Sequence, residues 1–213
     1  MSTIPASRRS EPRLPAAFWL NLALKAALIG LLLLAVVRSD LPQFHNKAMA
    51  GRALTYPLSA LIVPVGWLIA RGRGRSPTYP YALDVLIGLP FLIDMAGNAL
   101  NLYDTVTWWD DLNHLVNWAL LTAGFGQFLL RLPLGQLNTA ALAVGFGAVT
   151  AILWELVEYL AFIRHSAELA TAYTDTLGDL SLGLLGSFMA AVVTAWLLWR
   201  PHHVAEAPPP SPG

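Results

Sequence analysis

Cysteine is missing from all 213 residues, and charge is scarce: only 12% of the chain is Asp, Glu, Lys or Arg, against about 25% in a soluble domain. Without cysteine there are no disulfides, no thiolate metal ligands and no cysteine nucleophile. Acidic and basic residues balance at thirteen each, for a net charge of zero. A nucleic-acid partner would therefore find no electrostatic support. There is no internal repeat, no G-x-S-x-G, no P-loop, no H-E-x-x-H and no dinucleotide fingerprint. The common soluble-enzyme chemistries lose their usual signatures with them.

What is present is apolar length. Hydrophobic residues make up 56% of the chain, and a membrane-spanning helix needs about 20 of them in a row. Six segments qualify: roughly 17–37, 53–71, 82–102, 111–131, 138–163 and 177–199. They are far too long for barrel strands, so the predicted fold is all-α, a six-span transmembrane bundle over residues 16–200. The polar, basic residues 1–15 resemble the start of a signal peptide. The apolar run Ala16 to Val37 behind them exceeds the roughly 7–15 residues of a signal core, so it is expected to stay as the first span. Residues 201–213 form a Pro-rich tail, expected to be disordered, with His202 and His203 solvated.

Lys and Arg in the short loops set the orientation. With the amino end inside, Arg8, Arg9, Arg13, Arg71, Arg73, Arg75, Arg131 and Arg200 lie inside, and Arg38, Lys47, Arg52 and Arg164 outside. Both termini are therefore expected in the cytoplasm of a bacterium, with the chain a multi-pass protein of the inner membrane and membrane lipids its neighbours. Lys25 sits within the first span, where it can snorkel or pair with a buried acid.

On that topology the acids fall on one side. Asp94, Asn98 and Asn101, spaced i, i+4 and i+7, share a face in the outer half of span three. Asp110, Asp111 and His114 open span four, Glu155 and Glu158 lie below the outer end of span five, and Asp175 and Asp179 stand at the mouth of span six. With Asp104 in the intervening loop, eight of the thirteen acids belong to this layer, facing Arg164, His114 and His165 and the cations of the first outer loop. Ionised carboxylates cost about 2.5–3.5 kcal/mol each at depth on insertion scales. So unbalanced a cluster calls for a bound cation or proton traffic.

Spacing narrows the choice. Asp110 and His114 are one turn apart, as are Glu155 and Glu158, and Asp175 and Asp179 if that stretch is helical. Together they offer five carboxylates and one imidazole, a set for a hard or borderline divalent ion: Mg, Mn, Fe, Ca or Zn. One histidine is few for catalytic zinc and departs from the di-iron bundle pattern of paired Glu-x-x-His motifs. Mg or Mn with a phosphate-bearing ligand suits the oxygen-rich count better.

Each element has a structural alternative. Asp110, Asp111 and Asp175 can complement helix starts, Asp84 can cap span three, and His114 can be a hydrogen-bonded interior histidine. Trp108, Trp109, Trp118, Trp154, Trp196 and Trp199 suit an interfacial aromatic belt. Gly124, Gly126, Gly145, Gly147, Gly183 and Gly186 suit close helix approach, and Pro57, Pro64 and Pro90 suit kinks.

The stretches "DDLNH", "ELVEY" and "DTLGDLSLGLLG" occur in an order that resembles the YjdF-like bacterial integral membrane proteins, a domain family of unknown function. The resemblance spans roughly residues 85–190, and the shared polar positions are Asp110, His114, Glu155, Glu158, Asp175 and Asp179. It lacks the Gly-rich lead-in of that family before "DTLGD". It implies a site and brings no reaction. Function then divides three ways: a metal-dependent hydrolase or transferase on lipid head groups, a cation- or proton-coupled transporter, or a membrane scaffold. In the first, Asp110, His114, Glu155 and Glu158 hold the ion, Asp175 or Asp179 completes the shell or acts as base, and Asp94, Asn98, Asn101 and Asp111 line the surroundings.

Overall fold

The computed structural model describes residues 15–45, 47–75, 77–161 and 163–199. The expected polar amino segment, up to residue 14, and the Pro-rich tail with His202 and His203 lie outside the described residues. Within them the chain is helical and contains no strand. The helices are α1 (Ala16–Val37), α2 (Met49–Gly72), α3 (Tyr81–Ala99), the single turn α4 (Leu102–Thr105), α5 (Trp109–Leu129), α6 (Gln136–Ala161) and α7 (Ala172–Trp199).

Five of these, α1, α2, α3, α6 and α7, are long and apolar enough to cross a membrane. The 21-residue α5 is long enough but less apolar. The cause is its content of Asn113, His114, Asn117 and Gln127. Of these, Asn113 and His114 are buried inside the protein. α5 is the central helix, packed against α3, α6 and α7, so its polar groups face protein and need not be apolar.

Boundaries fall within a few residues of expectation, with two informative departures. α7 starts five residues before the expected 177, because the polar "YTDT" turn is already helical. Asp175 and Asp179 are therefore on one helical face. α3 stops at Ala99, and Asn101 has left-handed backbone (φ 60°) at the head of α4. Asparagine tolerates that conformation. The expected shared face of Asp94, Asn98 and Asn101 is thus corrected: the first two share it and Asn101 does not.

Small residues bring α5, α6 and α7 together. A Cβ on Gly183 would meet the Trp118 ring at 2.7 Å, and one on Gly186 would strike the Leu115 carbonyl. α5 and α7 run parallel: His114, Trp118, Thr122 and Gly126 meet Asp179, Gly183, Ser187 and Thr194 in turn. α6 returns between them, and Gly147 lies against Ser187 and Thr122. There the Thr122 hydroxyl donates to Ser187 Oγ at 3.1 Å, and both residues are fully buried. Gly145 has open space about it, so the expectation of a close approach fails at that position; it faces away from the junction.

The remaining helices form a second block. Leu28, Leu32 and Ala35 of α1 pack with Tyr56 and Ala60 of α2 and Met95 of α3. Near the opposite end of α3 from Asp94, Lys25 Nζ donates to Asp84 at 2.6 Å and the Tyr79 hydroxyl donates at 2.5 Å. Asp84 is thus a buried ion-pair partner rather than the cap expected of it, the cap position being Pro80.

Gly147→Ala places a methyl where Ser187 and the Thr122 hydroxyl, 2.7 Å away, already sit. Overpacking of this kind destabilises by about 1–3 kcal/mol. Thermal unfolding of the detergent-purified variant is expected to show a lowered midpoint, with Gly145→Ala unchanged. Equal midpoints for the two would contradict the three-helix junction.

Candidate functional site

Three helix ends converge on one imidazole. α5 begins at Trp109, so Asp110 and Asp111 occupy its first turn, where negative charge complements the helix dipole. Neither is its cap, which is Trp108 without a side-chain bond. One turn on, His114 is turned inward and buried. Its Nε2 lies 3.8 Å from Asp110 Oδ1 and 3.6 Å from Asp179 Oδ1 of α7. Its Nδ1 lies 3.7 Å from Glu155 Oε1 of α6. The ring therefore presents each nitrogen to a different carboxylate group. Asp110, His114 and Asp179 form one potential metal-binding set, and His114, Glu155 and Glu158 another, with ligand atoms within 4.8 Å of each other in each.

These separations are too long for hydrogen bonds. His114 Nδ1 and Glu155 Oε1 are buried without a hydrogen-bond partner, in residues that are each only 7% exposed. An ion about 2.0–2.2 Å from each donor would set neighbouring donors roughly 3–3.5 Å apart. Closing the two gaps at Nε2, 3.6 and 3.8 Å, takes a contraction of a few tenths of an ångström.

The other wall is neutralised by protein. Asp94 of α3 accepts from Arg52 Nε at 3.0 Å, from the Tyr56 hydroxyl at 2.7 Å and from the Tyr103 hydroxyl at 2.8 Å. The Asn98 amide donates to it at 3.4 Å. Burial, and then the neighbouring Asp94 charge, push the Tyr103 phenol up from its ordinary value, so it stays a donor. Arg52 also donates to the Lys47 carbonyl, beside the left-handed Ala48 (φ 50°), and Lys47 Nζ donates to Asp104 at 2.8 Å. The loop before α2 is thereby tied over this wall.

Between the walls lies a cavity of about 300 Å³. Arg52, Asp94, Asp110, His114 and Glu158 line its polar end, with Asn113 and Asn117 from the first half of α5. Phe91, Leu121 and Phe146 line the remainder. Of the residues expected in the site, Asp110, His114, Glu155, Glu158 and Asp179 come together. Asp175 is exposed one turn nearer the helix start and belongs to neither potential metal-binding set, and Asp111 is exposed beside it in charge terms. Asp94 and Asn98 form the opposite wall, and Asn101 is turned out of α3. Sequence reasoning counted Arg52 only as a loop cation and passed over Tyr56, Tyr103, Asn113 and Asn117. The four-residue spacings of Arg52 to Tyr56, and of Asn113 to Asn117 along the His114 helix, were the available signals.

Asp94→Asn removes the charge facing a guanidinium whose side chain is 11% exposed. Breaking one half of such a buried pair costs about 3–5 kcal/mol. Asp104→Asn breaks a pair whose acid is 47% exposed, worth roughly 0–1 kcal/mol. Chemical denaturation in detergent is expected to rank the two in that order. A milder effect at Asp94 would contradict its role as the wall's anchor.

No curated protein and no solved structure matches this chain. A family model does: residues 20–200 match the predicted membrane protein family DUF2238. The match covers most of the chain, which belongs to that family of unknown function, in agreement with the YjdF-like resemblance.

Proposed function

We propose that this DUF2238 family member is a six-span protein of the bacterial inner membrane that holds a divalent metal ion and uses it on lipid head groups, as a hydrolase or transferase. Five helices are apolar enough to span, and α5, enclosed by α3, α6 and α7, is the sixth. The cluster Arg71, Arg73 and Arg75 lies at the end of α2 opposite the site. By the positive-inside preference that end is cytoplasmic and the site faces outward. Both termini are then cytoplasmic.

The single observation that carries the metal reading is the pair of buried, unpartnered atoms, His114 Nδ1 and Glu155 Oε1, inside a set of carboxylates. Buried polar atoms are in general nearly always bonded; Asn21, Asn101, Trp109, Asn117 and Thr139 also keep one without a partner, but none of these belongs to a group of potential metal ligands. The assignment that uses both ring nitrogens puts the metal on Nε2 with Asp110 and Asp179, and lets Nδ1–H donate to Glu155. A carboxylate on the far nitrogen fixes the ring and raises its basicity, as is general for metal-bound histidine. The Asp110 side chain is 46% exposed, so the ion keeps a face toward water. Three protein ligands with open positions is the arrangement of a catalytic rather than a structural site. A metal held by Asp110, His114 and Asp179 would lower the pKa of a bound water and neutralise phosphoryl charge. Glu158, beside Arg52 and lining the cavity, is placed to take the proton.

Elemental analysis of purified protein, followed by Mn(II) titration read by electron paramagnetic resonance, is expected to give one ion per chain. His114→Ala and Asp179→Asn are expected to abolish it, and Glu155→Gln to weaken it about 10–100-fold. Absence of stoichiometric metal, or affinity indifferent to all three changes, would sink the proposal.

A further inference from the structure

The cavity changes character along its length. Its polar end holds a cationic group, Arg52, across from the carboxylate cluster on His114. From Glu158 down α6 to Phe146 the lining runs over twelve residues, about 18 Å of helix. Alongside it on α5 the lining runs from Asp110 to Leu121, about 16 Å measured on that helix. At the far end Phe146 and Leu121 are joined by Phe91 of α3. A small polar molecule would leave that end dry and unused.

The side wall is thin. Among the described residues α2 and α6 both line the cavity but share no extensive helix contact. Trp154 is the α6 side chain that reaches across to the cluster of α1, α2 and α3. Both helices are otherwise apolar and outward-facing, with Leu58, Leu61 and Ile62 of α2 and Leu153, Leu156 and Val157 of α6 exposed. The seam between them is where a molecule in the bilayer would meet the cavity.

Arg52 is equipped for an oxyanion. A guanidinium carries five N–H donors, and the contacts to Tyr56, Asp94 and Lys47 use only Nε and one terminal nitrogen. Its planar fork matches phosphate oxygens. An anion held between Arg52 and a divalent ion would present oxygens in two directions, which a tetrahedral phosphate does and a planar carboxylate does less well.

We infer that the cavity binds an amphiphile with a phosphate head and one apolar tail. The head lies between Arg52 and the ion on Asp110, His114 and Asp179; the tail enters by the α2–α6 seam and lies over Phe91, Leu121 and Phe146. The inference rests on the metal reading for one side of the head and stands apart from it in Arg52 and the tail.

The test uses the full chain held in amphipol, so that detergent does not compete, with Mn(II) binding measured first. Radiolabelled dodecyl phosphate is expected to bind the Mn(II)-loaded protein at least about tenfold more tightly than inorganic phosphate, and to exceed dodecanoate by a similar factor. Arg52→Gln is expected to reduce dodecyl phosphate binding about tenfold or more, the usual loss of a charged hydrogen bond, with Arg52→Lys intermediate. Leu121→Trp fills the apolar end without touching Arg52 or the cluster. It is expected to erase the preference over inorganic phosphate while Mn(II) affinity stays as in the parent, which covers the case in which Arg52→Gln fails to fold. Mn(II) binding with no preference for dodecyl phosphate overturns the inference and leaves the metal reading intact. Dodecyl phosphate binding that is sensitive to Arg52 and Leu121 but indifferent to Mn(II) keeps the tail and the Arg52 contact and overturns the placement of the head beside the ion. Equal binding of inorganic phosphate assigns the site to the free ion and overturns the tail. Stronger dodecanoate binding assigns it to a fatty acid and overturns the phosphate head.

Discussion

The contact on which the site depends is the junction of Gly147, Thr122 and Ser187, where α6, α5 and α7 touch without room for another methyl. Each of these residues lies eight positions from a site residue on its own helix: Gly147 from Glu155, Thr122 from His114, Ser187 from Asp179. Eight residues are about 12 Å of helix on all three. The junction therefore sets the relative height of the two carboxylates and the imidazole. A slip of one residue on any helix would rotate its ligand by about 100° and lift it by roughly 1.5 Å. Groups that sit 3.6–3.7 Å apart across helices leave no room for such a slip. Lipid supplies no hydrophobic push between helices, so van der Waals contact of small residues must hold the register.

Charge is divided between the two walls. Asp94 is answered by Arg52 and by the hydroxyls of Tyr56 and Tyr103. At the other end of α3, Asp84 is answered by Lys25 and Tyr79. Among the described residues, the carboxylates around His114 have no such protein cation of their own beyond the nearby charge of Arg52 on Glu158. The same division weighs against a conduction path through the bundle. In the far half Lys25 and Asp84 satisfy each other, and the cavity's far end is lined by Phe91, Leu121 and Phe146.

Much of this was legible in the sequence because it depends on period and order. One-turn spacings on α5, α6 and α7 put Asp110 with His114, Glu155 with Glu158 and Asp175 with Asp179. Alternating helix direction brought these ends to one layer. What the sequence did not carry was depth and rotation. Asp175 and Asp179 share a face by spacing, yet Asp179 is buried and Asp175, one turn nearer the start of α7, is exposed. Gly145 and Gly147 are equally small, and only Gly147 meets a neighbour. Asn101 continued a helical spacing that the backbone breaks at a left-handed residue. Arg52 stood just outside an apolar run, where a loop charge and the first turn of a helix look alike; α2 in fact begins at Met49.

The two walls also bear on why the carboxylate cluster is there at all. A bundle held only by polar contacts would be expected to satisfy its buried groups, and this one does so at Asp94, with both oxygens bonded. Unsatisfied buried polar atoms cost about 1–3 kcal/mol each, and water is scarcer within a membrane than at an ordinary protein surface. Yet at a similar depth, across one cavity, His114 Nδ1 and Glu155 Oε1 are left without partners. Asn117, one turn below Asn113 on the same helix, could have been drawn toward the ring. Its amide donates to Asn113 Oδ1 at 3.1 Å instead. A scaffold would gain stability by filling these positions with apolar groups of the same volume. The proposed ion would account for their retention, since a metal on Nε2 would draw Nδ1–H onto Glu155.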